Sequence, residues 1–461
     1  MKILRLLGKL CVTLLGLAIA LALLVVIINL QDEPLSQSAL TRLTRTAPSP
    51  SNSDGGNAAY ALWAFDAPEG VDATTVGRTV VAALLAADSK KSPTGTSIRP
   101  AYRPQFLEFP SQLACLDQNS ACIDKALANP GVVRQWVDSK RYWFDRLAAI
   151  DTAPVWAPIP ALADINAPLP PVRPLISLFS LSLGQAAVEI QNREVGKGID
   201  RLEQDVRIAR RLLASSDDFV MKMISTDLLR RSMLAYSEIL SAQRADATTV
   251  ALLLGSLERV AKPLSPQERS VLAALDSEAK RAAALSEQVA HPPEGLGGSI
   301  AEQVATHAAP LLFKPDATSN LEARLYDIEA PLGNDSAPEF VQSQETATAE
   351  FARTQDEIAR LSWAAVYNPL GRVMASYVPN RIDDMARIHD AENLMRGVRA
   401  KALLLNSRVH YAAAQDALDR APAEFWDVYT ARPFQWDPAE AALKVTQRSS
   451  RGVGLLKVPL A

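Results

Sequence analysis

The side chains that carry most protein chemistry are sparse in this chain of 461 residues and stand apart from one another. The four histidines, His291, His307, His389 and His410, follow no H-E-x-x-H or other ligand spacing, so no metal site is expected. His389 neighbours Ile388 on an apolar helical seam and precedes Asp390, which reads as a half-buried, carboxylate-paired structural residue. No G-x-S-x-G elbow and no G-x-x-x-x-G-K-[ST] phosphate loop occurs. Gly196-Lys197-Gly198 precedes a helical pattern without the strand and third glycine of a dinucleotide fold, so no cofactor is expected. One S-x-x-K pair, Ser277 to Lys280, has the residue types of a serine acyltransferase, but the companion K-T-G is missing. Its setting, DSEAKR, reads as an exposed helix face.

Carboxylates are denser. Asp327 with Glu329 (LYDIEA) and Asp383 with Asp384 (NRIDDMARIHD) are the closest pairs. Asp383 to Arg387 and Glu392 to Arg396 have the i,i+4 spacing of solvated ion pairs. General acid–base work needs two carboxyls facing across a cleft, which local spacing does not establish, so no catalytic residue is assigned. Cys115 and Cys122 enclose six residues with the turn formers Asp117, Asn119 and Ser120, and an oxidising compartment would join them as a disulfide. Residues 153–174 contain seven prolines, which exclude a regular helix or central strand. That loop reads as a connector, or as a binding loop presenting Trp156.

The elements that must position these residues are mainly helical. Ile199, Leu202, Val206, Ala209 and Leu213 step by three and four, as do Val250, Leu253, Leu257 and Val260. A longer seam runs through Met385, Ile388, Ala391, Met395, Val398, Ala402, Leu405 and Val409. Asp217 or Asp218 is placed to cap a helix over residues 221–240. Consecutive helices with short connections predict a helical-hairpin array, solenoid-like in one version, though no fixed-period repeat is present. Residues 291–298 (HPPEGLGG) break any helix and mark a hinge. The expected organisation is a basic N-terminus and transmembrane anchor over 1–31, a flexible linker over 32–57, and a helical domain over 58–290. The hinge follows, then a second helical region over 299–420 and an aromatic C-terminal flap over 421–461, in which LKVTQ and LLKVPL form short strands.

Residues 10–30 (LCVTLLGLAIALALLVVIINL) carry no charge, and at ~1.5 Å per residue they reach roughly the ~30 Å of a hydrocarbon core. Lys2, Arg5 and Lys9 precede the run and Asp32 and Glu33 follow it. This asymmetry predicts a single-pass inner-membrane protein with its N-terminus cytoplasmic and its body periplasmic. A net charge of −3 excludes a global basic field, so no nucleic-acid partner is expected.

The short N-terminal apolar helix, the helical body, the C-x6-C pair and the aromatic segment YTARPFQWD together resemble uncharacterised single-pass envelope proteins of Gram-negative bacteria. The resemblance implies a location and no reaction. The expected function is that of a membrane-anchored periplasmic binding or scaffold protein, an accessory subunit with a protein partner in the cell envelope. The alternatives are an envelope hydrolase using distant carboxylates and a periplasmic small-ligand sensor.

Overall fold

Apolar residues at helical spacing become helices that bury the marked positions. The computed structural model describes residues 2–45, 56–89, 102–106, 109, 113, 123–157, 159, 168–291, 312–360, 363–450 and 454–460. The first helices in chain order are α1 (Lys2–Ile28), α2 (Gln37–Thr44), α3 (Ala58–Trp63), α4 (Ala73–Ser89), α5 (Ile123–Ala128), α6 (Pro130–Ser139) and α7 (Arg141–Thr152). A longer set follows: α8 (Val172–Gln191), α9 (Val195–Ser215), α10 (Phe219–Ala242), α11 (Ala247–Val260), α12 (Pro266–Arg269) and α13 (Leu272–Ala290). The last helices are α14 (Pro315–Glu329), α15 (Ala337–Ala359), α16 (Pro369–Ala375), α17 (Ile382–Asn406) and α18 (Ala414–Asp419). Strands β1 (Gln435–Asp437), β2 (Ala442–Gln447) and β3 (Gly454–Pro459) complete the chain. The protein is mainly helical, with a small C-terminal sheet.

Helix ends follow local chemistry. Asp218 caps α10 by accepting from the Val220 and Met221 amides, and Asp246 caps α11 in the same way. Ser265 and Glu268 close a capping box on α12. The apolar steps of α9 and α11 are buried at every predicted position.

Two helices are enclosed on all sides. Residues 177–190 of α8 are buried without interruption, and α17 is buried along most of its length. The predicted seam of α17 therefore packs into the body. Helix α10 lies against both of them, and α11 also contacts α17. Such contacts between helices well over a hundred residues apart do not fit a solenoid, in which each repeat touches only its neighbours. One buried cluster runs from Ala58 to Leu460, so the two helical regions expected on either side of the hinge share a single core. His291 ends α13, and residues 292–298 lie outside the described residues.

The C-terminal segment forms an antiparallel sheet in the order β1-β2-β3, with Trp436 opposite Leu443 and Val445 opposite Leu456. Phe434, Leu443, Val445 and Val458 join the main core. Gly397 of α17 allows this approach, because a Cβ there would lie 2.6 Å from a methyl of Val445.

The expected membrane placement is corrected. Among the described residues no helix is long and apolar enough to cross a membrane. Helix α1 starts at Lys2 and stops at Ile28, so the basic residues share the helix and Asn29 and Leu30 fall outside it. The uncharged helical part, residues 10–28, is about 28 Å long at ~1.5 Å per residue, short of a ~30 Å hydrocarbon core. This overturns the single-pass inner-membrane assignment with a cytoplasmic N-terminus and periplasmic body. Part of the expected linker is also ordered: α2 docks on α13 and α14. Residues 46–55 lie outside the described residues.

Candidate functional site

Two features stand out from the residues upward: an apolar helix clamped to the body, and an acidic cluster in the core. Helix α1 exposes large apolar residues along its described length, including Leu10, Val12, Leu14, Leu15, Leu17, Ile19, Leu21 and Leu23, with Leu17 66% exposed. Consecutive residues at ~100° intervals occupy every side of a helix, so the apolar surface is circumferential and not a stripe.

The exit of α1 is fastened. Asn29 is fully buried, and its Nδ2 donates to the carbonyls of Val25 at 2.8 Å and Val366 at 2.7 Å. Its Oδ1 accepts from the Asn368 amide at 2.7 Å. Asn368 adopts the left-handed conformation with φ 52°, and its side chain accepts from the amides of Lys314 and Gly371 while donating to Thr318 Oγ1 at 3.0 Å. Asp32 then caps α14 by accepting from the Asp316 and Ala317 amides at 2.9 and 3.1 Å. Asn320 accepts from the Ser36 amide and donates to Glu33 Oε1 and the Pro34 carbonyl. The helix leaves the body at a set pose.

The acidic cluster lies on the opposite flank of α14. Glu322, Tyr326 and Glu329, at i, i+4 and i+7, share one helix face and are 4%, 2% and 0% exposed. Arg381, the residue before α17, joins them. Its guanidinium bonds both oxygens of Glu278 on α13, at 2.6 and 3.2 Å, and stands 4.9 Å from the Phe219 ring. Its amide donates to Glu329 Oε1 at 2.6 Å, while Glu329 Oε2 has no hydrogen-bond partner. Burial pushes the Glu322 and Glu329 carboxyls up to about 8, and it raises Glu278 against the lowering effect of Arg381. Glu322 and Glu329 are therefore neutral acids near pH 7. A substrate has no direct access to side chains this buried, so the cluster acts as a proton-binding part of the core.

The predicted pairs separate in three dimensions. Asp327 and Glu329, two residues apart, point about 200° apart around α14. Asp327 faces α2, where it accepts from Arg42 at 2.7 Å and Ser38 at 2.6 Å. Asp383 holds the Ser450 amide and hydroxyl, and Arg387 bonds Asp384 at 3.5 Å, not Asp383. Glu392 and Arg396 do pair, at 3.4 Å. Ser277 is buried and not on an exposed face, while Lys280 reaches the Arg45 carbonyl.

His389 is fully buried and has no carboxylate partner. Its ring lies 4.8 Å from that of Phe340, its Nδ1 is unpaired, and burial followed by the charge of Arg269 holds it down to about 4. Asp390 instead accepts from the Tyr429 hydroxyl at 2.6 Å and from the Arg448 and Ser449 amides, tying the aromatic segment to α17. Trp156 packs on the main core with the Arg211 guanidinium 5.7 Å from its ring, as a connector residue does. Cys115 and Cys122 lie outside the described residues. Among the described residues no group of three or more His, Cys, Asp or Glu side chains is arranged to hold a metal ion.

Local sequence does not single out Asn29, Asn368 and Arg381. The available signal was an asparagine ending an apolar run and an Asn-Pro dipeptide at Asn368. No protein family, curated protein or solved structure matches the chain.

Proposed function

We propose that the protein works by binding, as a rigid scaffold held to a lipid surface through α1. The observation that supports this reading is the circumferential exposure of apolar side chains on a helix whose exit Asn29 clamps to the body. A helical protein partner covers one stripe of a helix, whereas acyl chains surround it. Lys2, Arg5 and Lys9 at the outer end add an attraction of about 1 kcal/mol each toward anionic headgroups. The single continuous core gives the body a fixed shape on which a protein partner can assemble.

Flotation with vesicles of phosphatidylcholine and phosphatidylglycerol tests the lipid half of this reading. The natural chain should rise with the vesicles, and the full-length double variant Leu17→Asp, Leu21→Asp should stay behind while keeping its circular dichroism. A natural chain that remains at the bottom of the gradient would sink the idea. Crosslinking in intact cells tests the scaffold half, which fails if no protein partner is recovered.

A further inference from the structure

The Ser–Lys chemistry that the sequence offers at residues 277–280 is assembled elsewhere, between α10 and α17. Lys401 is fully buried, flanked on α17 by the buried Ala400 and Ala402. Its Nζ crosses to the last turns of α10 and lies 2.7 Å from the Ser237 carbonyl, 3.1 Å from Ser237 Oγ and 2.7 Å from Ser241 Oγ. Ser237 and Ser241 are four residues apart and present both hydroxyls on one helix face. Ser237 is buried, and Ser241 is partly exposed.

Burial holds the Lys401 amine down to about 7, opposed by the charge of Glu238 on α10. The Glu238 carboxylate accepts from the Ile123 amide at 3.1 Å, and burial, with Asp124 of α5 acting in the same direction, raises it. A neutral amine offers two N–H donors and one lone pair. The donors fit the Ser237 carbonyl and hydroxyl, which leaves the lone pair for the hydroxyl proton of Ser241.

We propose that Ser241 and Lys401 form a nucleophile–base pair that transfers the acyl group of ester or activated amide substrates to water. Ser241 Oγ forms a bond to the acyl carbon as its proton moves to Lys401 Nζ, and the carbonyl π electrons move onto oxygen. Those electrons return as the bond to the leaving group breaks, and Lys401 gives the proton to that group. Water then attacks the Ser241 ester, delivers its proton to Lys401, and the acid departs as the proton returns to Ser241 Oγ. The activating principle is the one by which a desolvated lysine serves as general base.

The full-length chain is treated with a fluorophosphonate probe, in which the serine oxygen displaces fluoride from phosphorus, and the adduct is mapped by peptide mass spectrometry. The expected result is an adduct on Ser241 and none on Ser237. Its rate should rise roughly tenfold from about pH 6 to about pH 8 as Lys401 loses its proton, and Lys401→Met should slow it ~100-fold or more. Ser241→Ala should leave no adduct. The proposal is overturned if the folded natural chain gives no Ser241 adduct at about pH 8, or if the rate is flat with pH. It is equally overturned if a folded Lys401→Met chain labels as fast as the natural one. The pH profile of the natural chain decides the matter even if the lysine variant fails to fold.

Discussion

Glu322 has no hydrogen bond or ion pair to another described residue, and its neighbour on the helix face, Glu329, satisfies only one oxygen. Both carboxyls are held at about 8 by burial, above their ordinary value of 4.5. The folded state therefore binds these protons more tightly than the unfolded chain does. The stability they contribute is fully present below the unfolded value and is lost as pH rises through the folded one. Lys222 and Lys401, lowered by burial to about 8 and about 7, act in the opposite direction, so the difference between variant and natural chain is the informative quantity. Glu322→Gln should flatten the fall in urea-unfolding stability between about pH 5 and about pH 8, with a gain on the order of 1 kcal/mol at the upper end. An unchanged difference at the two pH values would refute the neutral-acid assignment. Arg381→Ala leaves Glu278 buried without its guanidinium partner and should cost about 2–4 kcal/mol. Adding Glu278→Gln to that variant should restore part of the loss, and a double-mutant cycle without coupling would show that the pair is inert.

At the scale of elements, the contacts that set geometry are small polar residues and one glycine. Asn368 joins the exit of α1, the start of α14 and the start of α16 through one side chain and one amide. Asn368→Ala removes the side-chain bonds and places a Cβ-bearing residue without them at φ 52°. The expected cost is about 2–3 kcal/mol, read from the shift in denaturant midpoint. Gly397→Ala drives a methyl against Val445 and should loosen the sheet from α17 at a cost of about 1–3 kcal/mol. Its signature would be faster proteolytic cleavage within residues 421–461, and equal cleavage rates in both chains would contradict the packing argument.

The whole molecule is built around α8, α10 and α17, and the enclosure of α17 makes the two parts of the chain interdependent. Cleavage within residues 292–298 should therefore leave the two fragments associated, because the contacts of α10 and α11 with α17 bridge them. Size-exclusion chromatography in native buffer should show one peak containing both. Separate elution would mean that the shared core is not the dominant interface. The same continuity gives α1 a mechanical role: a pull on the helix is passed through Asn29 and Asp32 into α14 and the core behind it.

The sequence by itself determined the helical class, the buried steps of α9, α11 and α17, the cap at Asp218 and the two longer C-terminal strands. Each of these depends on residues within one or two turns or along one strand, where periodicity and capping act. Tertiary structure decided the rest. Asp327 and Glu329 look like a pair in sequence and face opposite ways on α14. His389 looks paired with Asp390, yet it packs on Phe340 while Asp390 holds the C-terminal segment. The extent of α1, with the basic residues inside the helix and Asn29 turned into the body, shortened an apolar run that composition alone had read as a span. Lys401 meets its serines more than 150 residues away. Burial and pairing depend on which distant segment arrives at a side chain, and no local spacing encodes that arrival.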